Sequence, residues 1–233
     1  WDFPIQIWHI GPKELPTDLR SRFDHLQVEF VDATEVNRQH PARILQGWPL
    51  KSYAVAWSPF RNVLLLDSDS VPVRDPMPLF ESPEFLEHGC VLFPDITKNL
   101  KDWKVFGFMG LKAPQNYVET ESGQLFLDKV RCWKALELVR WCNDYADFWF
   151  KYTHGDKEFW PLAFMRHGTP FSMAPDCAWR GYGIEQRWFD GEPLFEHRLS
   201  RKYNASAEVS HEDQFYGAAF DRFDYAMACL SSQ

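Results

Sequence analysis

The sequence lacks the features that mark nucleic-acid-binding and membrane-spanning proteins. Its 233 residues contain 25 Lys and Arg against 33 Asp and Glu, and the basic residues form no block. Because proteins that follow a nucleic-acid backbone need a basic surface, a net charge of −8 argues against nucleic acid as a partner. No apolar run is long enough to cross a bilayer, and no signal-like segment opens the chain. We therefore expect no membrane span in this chain.

Cysteine is scarce and its spacing is uninformative about metals. None of the five cysteines forms a Cys-x-x-Cys pair, which argues against a structural zinc site. Cys132 and Cys142 fall on one predicted helix, about 15 Å apart along its axis, which is too far for a disulfide. An odd number of cysteines without a disulfide framework favours a reducing compartment.

Aromatic residues, in contrast, are abundant. They make up 17% of the chain, with 11 Trp and 20 Phe, in an otherwise ordinary composition of 45% hydrophobic and 25% charged residues. Aromatic rings build cores, and they also form platforms for sugar rings and bases. The length suits one generous domain, and no repeat or linker divides it. We expect a single domain over residues 1–233.

One stretch, residues 62–76, organises the chain. Leu64 to Leu66 predict a strand that is covered on both faces, as in a parallel sheet. Asp67 and Asp69 follow at its carboxyl end, where open α/β sheets bind their ligands. Two such carboxylates can hold Mg²⁺ or Mn²⁺, and the ion can in turn hold a diphosphate. A turn or a helix cap would explain the same two aspartates.

Strands and helices alternate in the first half of the chain. Strands are predicted at 5–10, 28–31 and 90–93, with one or two helices over 40–58 broken near Gly47-Trp48-Pro49. Such alternation predicts an α/β protein with a mostly parallel central sheet flanked by helices.

The second half is dominated by one helical pattern. An irregular connection is predicted over residues 95–117, then a brief strand at 125–127. Apolar residues recur at three- and four-residue steps over 130–152 and predict a long helix. A further helix is expected over 157–167, and one more strand-like run at 193–196.

Three polar clusters could join the aspartates. Glu121-Ser122-Gly123-Gln124 stands at the entrance of the predicted strand, where Gly123 allows a close backbone approach, although a plain turn fits equally. Asp156 precedes a helix, and it could cap that helix or face a ligand. His197 could complete a metal site, with Arg198 and Lys202 neutralising phosphate oxygens. A histidine after a strand is more commonly structural.

Several motifs taken together resemble a family. These motifs occur in the same order as in GT-A fold nucleotide-sugar glycosyltransferases, which the sequence resembles. It is most similar to the fungal Golgi alpha-mannosyltransferases and their bacterial relatives within the glycogenin-like superfamily. The resemblance covers roughly residues 3 to 204. The motifs that carry it are Gly47-Trp48-Pro49-Leu50-Lys51, Ser58-Pro59-Phe60, Val63 to Asp69, Asp75-Pro76 to Phe80, Glu121 to Gln124 with Asp128-Lys129, Gly155-Asp156-Lys157 with Phe159, and His197-Arg198 with Lys202.

The resemblance implies a role for each candidate residue. It implies that Mn²⁺, or Mg²⁺, is bound by Asp67 and Asp69 together with a late histidine, His197. It implies that Asp156 and Glu121 act at the donor sugar. The remaining donor or diphosphate contacts that it implies are Lys51, Ser68, Gln124, Arg198 and Lys202.

The resemblance also implies the reaction. We expect transfer of a hexose, with retention, to a glycan or another hydroxyl acceptor. The expected donor is GDP-mannose, or otherwise a UDP-hexose. In that family a first strand with a nucleotide-contacting loop normally precedes the strand that opens this chain, so the resemblance implies a domain without that strand. It would be cytoplasmic in a bacterium, or lie in the Golgi lumen as part of a longer membrane-anchored eukaryotic enzyme.

Two other functions are compatible with the residues. Phosphatases of the haloacid-dehalogenase type also place Asp-x-Asp after an apolar strand, with the first Asp as nucleophile. In those enzymes the motif usually lies in the opening strand, whereas some sixty residues precede it here. The other alternative is an inactive carbohydrate-binding protein on the same fold, since a fold does not fix an activity.

Overall fold

The structure is a computed structural model that describes residues 3–16, 20–97, 100–181 and 183–199. Within these ranges helices alternate with short strands. The α-helices are Gly11–Glu14, Ala33–Gln39, Pro49–Trp57, Pro83–His88, Lys104–Phe108, Trp133–Asp144, Ala146–Trp149 and Phe159–His167. Two 3₁₀ turns are Ser21–Phe23 and Met77–Glu81. No helix in the described ranges has the length and apolar character needed to cross a membrane.

The strands form one pair and two four-stranded sheets. In chain order they are β1 (Ile5–His9), β2 (Val28–Asp32), β3 (Asn62–Leu66), β4 (Ser70–Pro72), β5 (Cys90–Pro94), β6 (Thr120–Asp128), β7 (Ser172–Met173), β8 (Cys177–Arg180), β9 (Gly183–Arg187) and β10 (Pro193–Arg198). β1 and β2 pair in parallel. The central sheet has the order β3-β6-β5-β7, and the second sheet has the order β4-β10-β9-β8.

The α/β class is confirmed, but the prediction of a mostly parallel central sheet is wrong. β6 pairs antiparallel with both β3 and β5, and only β5 and β7 are parallel. Pro94 at the end of β5 pairs with Thr120 at the start of β6, so residues 95–119 form one long hairpin connection. The alternation of strands and helices could not predict this, because it does not say which edge the chain returns to.

The second sheet was largely missed from the sequence, which predicted only the run at 193–196. β4, β8, β9 and β10 pair antiparallel throughout. Ser70 on β4 pairs with His197 on β10. This pairing places the residues after Asp69 beside the end of β10, although the two segments are far apart in sequence.

Two buried clusters lie on the two sides of the central sheet. Alternate residues of β3 face them: Val63 and Leu65 contact the cluster that contains Leu136, Trp160 and Phe164 of the helices. Leu64 and Leu66 contact the other cluster, in which Phe126 of the central sheet meets Phe195 of the second sheet, with 6.2 Å between ring centroids. Strand β3 is therefore covered on both faces, which fixes the position of the two aspartates that follow it.

The predicted helices differ from the observed ones at their ends. The pattern over 130–152 gives two helices, Trp133–Asp144 and Ala146–Trp149, because Tyr145 leaves helical geometry with ψ of 35°. The helix expected over 157–167 begins at Phe159. A helix at Ala33–Gln39, capped by the Asp32 carboxylate, precedes the region where helices were predicted.

Candidate functional site

The two aspartates after β3 are held in place by backbone hydrogen bonds to two different sheets. The N–H of Asp67 donates to the carbonyl of Gly123 on β6 at 2.8 Å, and Asp67 in turn accepts from the N–H of Ser70 at 2.9 Å. The carbonyl of Asp69 accepts from the N–H of Arg198 on β10 at 2.9 Å. The Asp-x-Asp segment thus lies in the joint between the two sheets, with Ser68 exposed between them.

His197 lies beside these carboxylates. Its Nε2 is 3.2 Å from Oδ1 of Asp69, and its Nδ1 is 3.5 Å from Oε1 of Glu121. One ligand atom from each of Asp67, Asp69 and His197 lies within 4.8 Å of the others. Burial lowers the pKa of the imidazole, but the carboxylates of Asp69 and Glu121 outweigh that effect and raise its pKa to about 9.

The close approach of His197 requires a glycine on the neighbouring strand. A Cβ atom at Gly123 would lie 2.5 Å from Cε1 and Nδ1 of the His197 ring. Since such a contact is far inside van der Waals distance, only glycine fits at this position of β6 without a shift of the imidazole.

A buried lysine balances the charge on the other side of Asp67. The Nζ of Lys51 lies 3.0 Å from Oδ2 of Asp67 and 3.3 Å from Oδ1 of Asp156. It also donates to the hydroxyl of Ser122 at 2.9 Å. Burial opposes the charged form of Lys51, but the carboxylates of Asp156 and Asp67 raise its pKa overall. Burial raises the pKa of Asp67 despite the nearby ammonium group.

Asp156 does not cap the following helix, which was one of the two roles considered for it. The residue before that helix is Glu158, and no side chain caps it. The Asp156 carboxylate instead accepts from the hydroxyl of Ser122 at 3.2 Å and from Nε1 of Trp160 at 3.3 Å. It is buried and oriented by these contacts towards Lys51.

The tetrad 121–124 lies inside β6 and not at the strand's entrance. The register between β5 and β6 shifts here, since Val91 pairs with Phe126 but Phe93 pairs with Glu121. Such an irregularity bends a strand and changes the direction of its side chains, and Glu121 and its neighbour Ser122 both face the same cavity. Burial favours the neutral carboxyl of Glu121, but His197 lowers its pKa below the usual value. Its Oε1 also accepts from the N–H groups of Ser122 and Gly123.

These groups open into one cavity of about 320 Å³. Six predicted site residues line it: Lys51, Asp67, Asp69, Glu121, Asp156 and His197. The other lining residues are Trp48, Asp95, Thr97, Ser122, His154, Lys157 and Leu199. The cavity thus gathers five carboxylates, two lysines and two imidazoles.

Among the described residues, three predicted donor contacts do not line this cavity. Arg198 follows His197 on a strand, so its side chain points to the opposite face of the sheet. Gln124 is fully buried, and its Oε1 accepts from the Ser70 hydroxyl at 3.0 Å. Ser68 is exposed in the turn between the two aspartates. Lys202 lies outside the described residues.

Asp95, Lys157 and Trp48 are cavity residues that the sequence did not single out individually. Asp95 follows β5 directly, and its carboxylate contacts Nζ of Lys157, which also lies 3.6 Å from Oε2 of Glu119. Because ligand sites gather where strands end, the position of Asp95 after β5 was an available signal. Trp48 and Lys157 stand in motifs that were noted for other residues.

Comparisons with known proteins identify relatives of the chain. A family model described as "Mannosyltransferase putative" matches residues 2–119. The chain is 24% identical over 204 residues to alpha-1,2-mannosyltransferase MNN2 of Saccharomyces cerevisiae, which covers 69% of this chain and 34% of that protein. It is 30% identical over 99 residues to alpha-1,2-mannosyltransferase MNN21 of Candida albicans, covering 36% of this chain and 15% of the relative.

The chain therefore spans about a third or less of the length of these relatives. Among solved structures it is similar to mouse xyloside xylosyltransferase 1, at 16% identity and a TM-score of 0.48, over 73% of this chain and 71% of the other.

Proposed function

Since the chain belongs to the mannosyltransferase family whose model matches half of it, we propose that it transfers a hexose from a nucleotide sugar to a hydroxyl acceptor. The donor we propose is GDP-mannose, because the relatives of the chain are named as mannosyltransferases. We further propose that the α/β arrangement is a GT-A fold that works as one catalytic unit. The observation that supports the proposal most is the convergence of Asp67, Asp69 and His197 at one cavity.

The residues at this point fit a divalent cation. Two carboxylates and one imidazole offer ligand atoms within 4.8 Å of one another. Carboxylate oxygens suit Mn²⁺ and Mg²⁺, and the imidazole can add a nitrogen ligand. Glu121 faces the second ring nitrogen of His197, as carboxylates do in many metal sites where they orient a histidine ligand. When bound, Mn²⁺ or Mg²⁺ supplies positive charge to a departing diphosphate.

Lys51 and Asp156 would act at the donor sugar and its phosphates. Lys51 presents a charged amine at the cavity beside Asp67, where it can bind a phosphate oxygen. Asp156 is held by Lys51, Ser122 and Trp160, so its carboxylate is oriented before the donor arrives. A fixed carboxylate can accept from sugar hydroxyls and offset the positive charge that develops at the anomeric carbon.

Glu121 fits a positioning role better than a nucleophilic one. Its Oε1 already accepts from two backbone N–H groups and faces His197. Asp156 is likewise engaged by an ammonium group. Retention would then proceed by attack of the acceptor on the same face of the sugar that the diphosphate leaves, without a covalent intermediate.

Two residues would support the site from outside the cavity. The backbone of Arg198 holds Asp69, and Gln124 binds the hydroxyl of Ser70, the residue after Asp69. We propose that both act by fixing the Asp-x-Asp segment. The family match supports neither the phosphatase nor the inactive binding protein that the residues alone left open.

The test is a donor screen with matched variants. Wild-type protein, Asp69→Ala and Asp190→Ala are compared by thermal shift with GDP- and UDP-sugars, each with Mn²⁺ or with EDTA, and every hit is assayed for sugar transfer and donor hydrolysis. Asp190 is the control, since it is an exposed carboxylate paired with Arg74 that does not line the cavity.

We expect GDP-mannose to stabilise the wild type and Asp190→Ala only with Mn²⁺, and Asp69→Ala to lose both this shift and turnover. Full activity of Asp69→Ala in EDTA would contradict the proposed site. A response to UDP-sugars alone would replace the proposed donor.

A further inference from the structure

A second cavity adjoins the one that contains the carboxylates. Its volume is about 390 Å³, within the range of roughly 300–1,000 Å³ that is typical of small-ligand sites. It is lined by Trp48, Lys101, Phe150, Thr153, His154 and Gly155. Trp48 and His154 line both cavities, so the two cavities are neighbours that share these side chains. None of the three clustered metal-ligand candidates lines the second cavity.

Trp48 is the main apolar surface between the two cavities. The residue is 56% exposed, the largest exposed fraction of any tryptophan in the described residues. Its ring is nevertheless supported, because it packs on Gly155 and meets the ring of Phe150 edge-on at 5.8 Å between centroids. A Cβ at Gly155 would lie 2.8 Å from Cε3 of the indole, so only glycine allows this packing.

The same two chain segments build both the platform and the charged site. Trp48 immediately precedes the helix that carries Lys51, and Gly155 immediately precedes Asp156. The Lys51–Asp156 ion pair therefore ties the Trp48–Gly155 contact to the proposed donor site. A ligand on Trp48 would lie directly beside the groups that bind the donor.

The second cavity suits a neutral polyhydroxylated ring. An exposed indole offers a flat apolar surface to the C–H face of a sugar, while polar groups at its edge can bind hydroxyls. Those groups are the amine of Lys101, the carbonyl of Phe150, to which that amine donates at 2.6 Å, and the exposed His154. No carboxylate side chain lines this cavity, unlike the first. The second cavity therefore suits a neutral sugar, whereas the first, with its cluster of possible metal ligands, suits a donor that carries phosphates.

We infer that Trp48 and the cavity beside it form the acceptor subsite, in which a saccharide stacks on the indole and directs one hydroxyl into the first cavity. This inference rests on the proposed glycosyl transfer, because it identifies the acceptor as a saccharide. Trp48 is then a residue that determines acceptor specificity.

The binding experiment uses methyl α-mannoside and an α-linked mannotriose as probes, with Mn²⁺ and GDP present. Affinity is measured by NMR titration for the wild type, Trp48→Ala, Trp48→Phe and Trp141→Ala. Trp141 is the matched control, since it is 47% exposed and lines neither cavity.

Because Trp48→Ala removes the surface on which the saccharide would stack, this variant should bind the mannotriose about tenfold more weakly, an effect of about 1.4 kcal/mol. Trp48→Phe should stay within about threefold, because a flat ring remains, and Trp141→Ala should match the wild type. Wild-type affinity in Trp48→Ala, or no saturable binding of either probe to the wild type, would overturn the subsite.

A fluorescence measurement keeps the test open if Trp48→Ala does not fold. The mannotriose should change the indole emission of the wild type and of Trp141→Phe, and this change should be lost in Trp48→Phe. If the mannotriose still changes the emission of Trp48→Phe, the assignment of Trp48 to the acceptor is overturned. The same holds if GDP with Mn²⁺ alone, without saccharide, changes the emission of the wild type but not that of Trp48→Phe. Failure of the proposed function would look different: the wild type would show no metal-dependent turnover of any nucleotide sugar, whatever its affinity for saccharide.

Discussion

Lys51 balances the negative charge of the cavity at the scale of single residues. Its side chain is only 13% exposed, and it pairs with two carboxylates, Asp67 and Asp156. Removing one partner from a buried ion pair leaves the remaining charge without compensation and commonly costs about 3–5 kcal/mol.

We therefore expect Lys51→Met to lower the free energy of unfolding by about 2–4 kcal/mol, as measured by urea denaturation. Lys134→Met, at an exposed helical position, should stay within about 0.5 kcal/mol of the wild type. A loss for Lys51→Met as small as that of the control would show that the ion pairs contribute little.

Glu158, a buried residue that does not line the cavity, should make the stability of the fold depend on pH. It is fully buried, and this burial raises its pKa to about 7. The backbone N–H of His154 and the charge of Lys157 act in the opposite direction, and Glu119 adds to the rise. The folded state holds the carboxyl proton of Glu158 more tightly than the unfolded state does. The contribution of Glu158 to the stability of the fold is therefore fully present below the pKa of this carboxyl in the unfolded chain. It is lost as the pH rises through about 7.

At pH 8, Glu158→Gln should therefore have a free energy of unfolding about 1–3 kcal/mol higher than that of the wild type, as measured by urea denaturation. The gain should shrink towards pH 5, where the glutamic acid is already neutral, since the glutamine oxygen can still accept from the N–H of His154. A gain of the same size at both pH values would mean that the carboxyl does not titrate in this range.

At the scale of secondary-structure elements, the site depends on the contact between β6 and β10. Gly123 of the central sheet lies against the ring of His197 of the second sheet, where a Cβ would come within 2.5 Å of the imidazole. Its carbonyl also accepts from the N–H of Asp67. One glycine thus positions two of the three proposed metal ligands.

Gly123→Ala should displace His197 and weaken Mn²⁺ binding by at least about tenfold, a 1.4 kcal/mol effect, as measured by calorimetry. Gly107→Ala is the control, because a Cβ there meets nothing within 4 Å. Equal Mn²⁺ affinity in the two variants would exclude His197 as a ligand or require that its ring moves without cost.

At the scale of the whole molecule, the cavity lies where two sheets meet. Asp67 follows β3 of the central sheet, whereas His197 belongs to β10 of the second. Between them, Ser70 pairs with His197 and the carbonyl of Asp69 accepts from Arg198. An ion bound by these side chains would therefore link the two sheets in the folded state only.

Mn²⁺ should accordingly stabilise the wild type by about 2.7 kcal/mol at a concentration one hundred times its Kd. The melting temperature should rise with Mn²⁺ in the wild type and in Asp190→Asn, and EDTA should reverse the rise. Asp69→Asn should show little response. An equal rise in all three proteins would indicate that the ion binds elsewhere.

The sequence by itself predicted the α/β class, the covered strand before Asp67 and the set of side chains that deserved attention. These follow from local patterns, because an apolar run, its end and the residues next to it are neighbours in the chain. The resemblance to glycosyltransferases rested on the same motifs, and the family match confirms it.

Only the tertiary structure decided which candidates share a cavity. His197 lines the cavity and its neighbour Arg198 does not, because consecutive residues of a strand point to opposite faces of a sheet. Sequence patterns also did not predict that β6 runs antiparallel to its neighbours or that β8 and β9 form strands. They did not predict that Asp95 would line the cavity and pair with Lys157 either. These features depend on which distant segments pair with one another. A periodic pattern of apolar residues predicts the secondary structure of a segment but not which segment lies next to it.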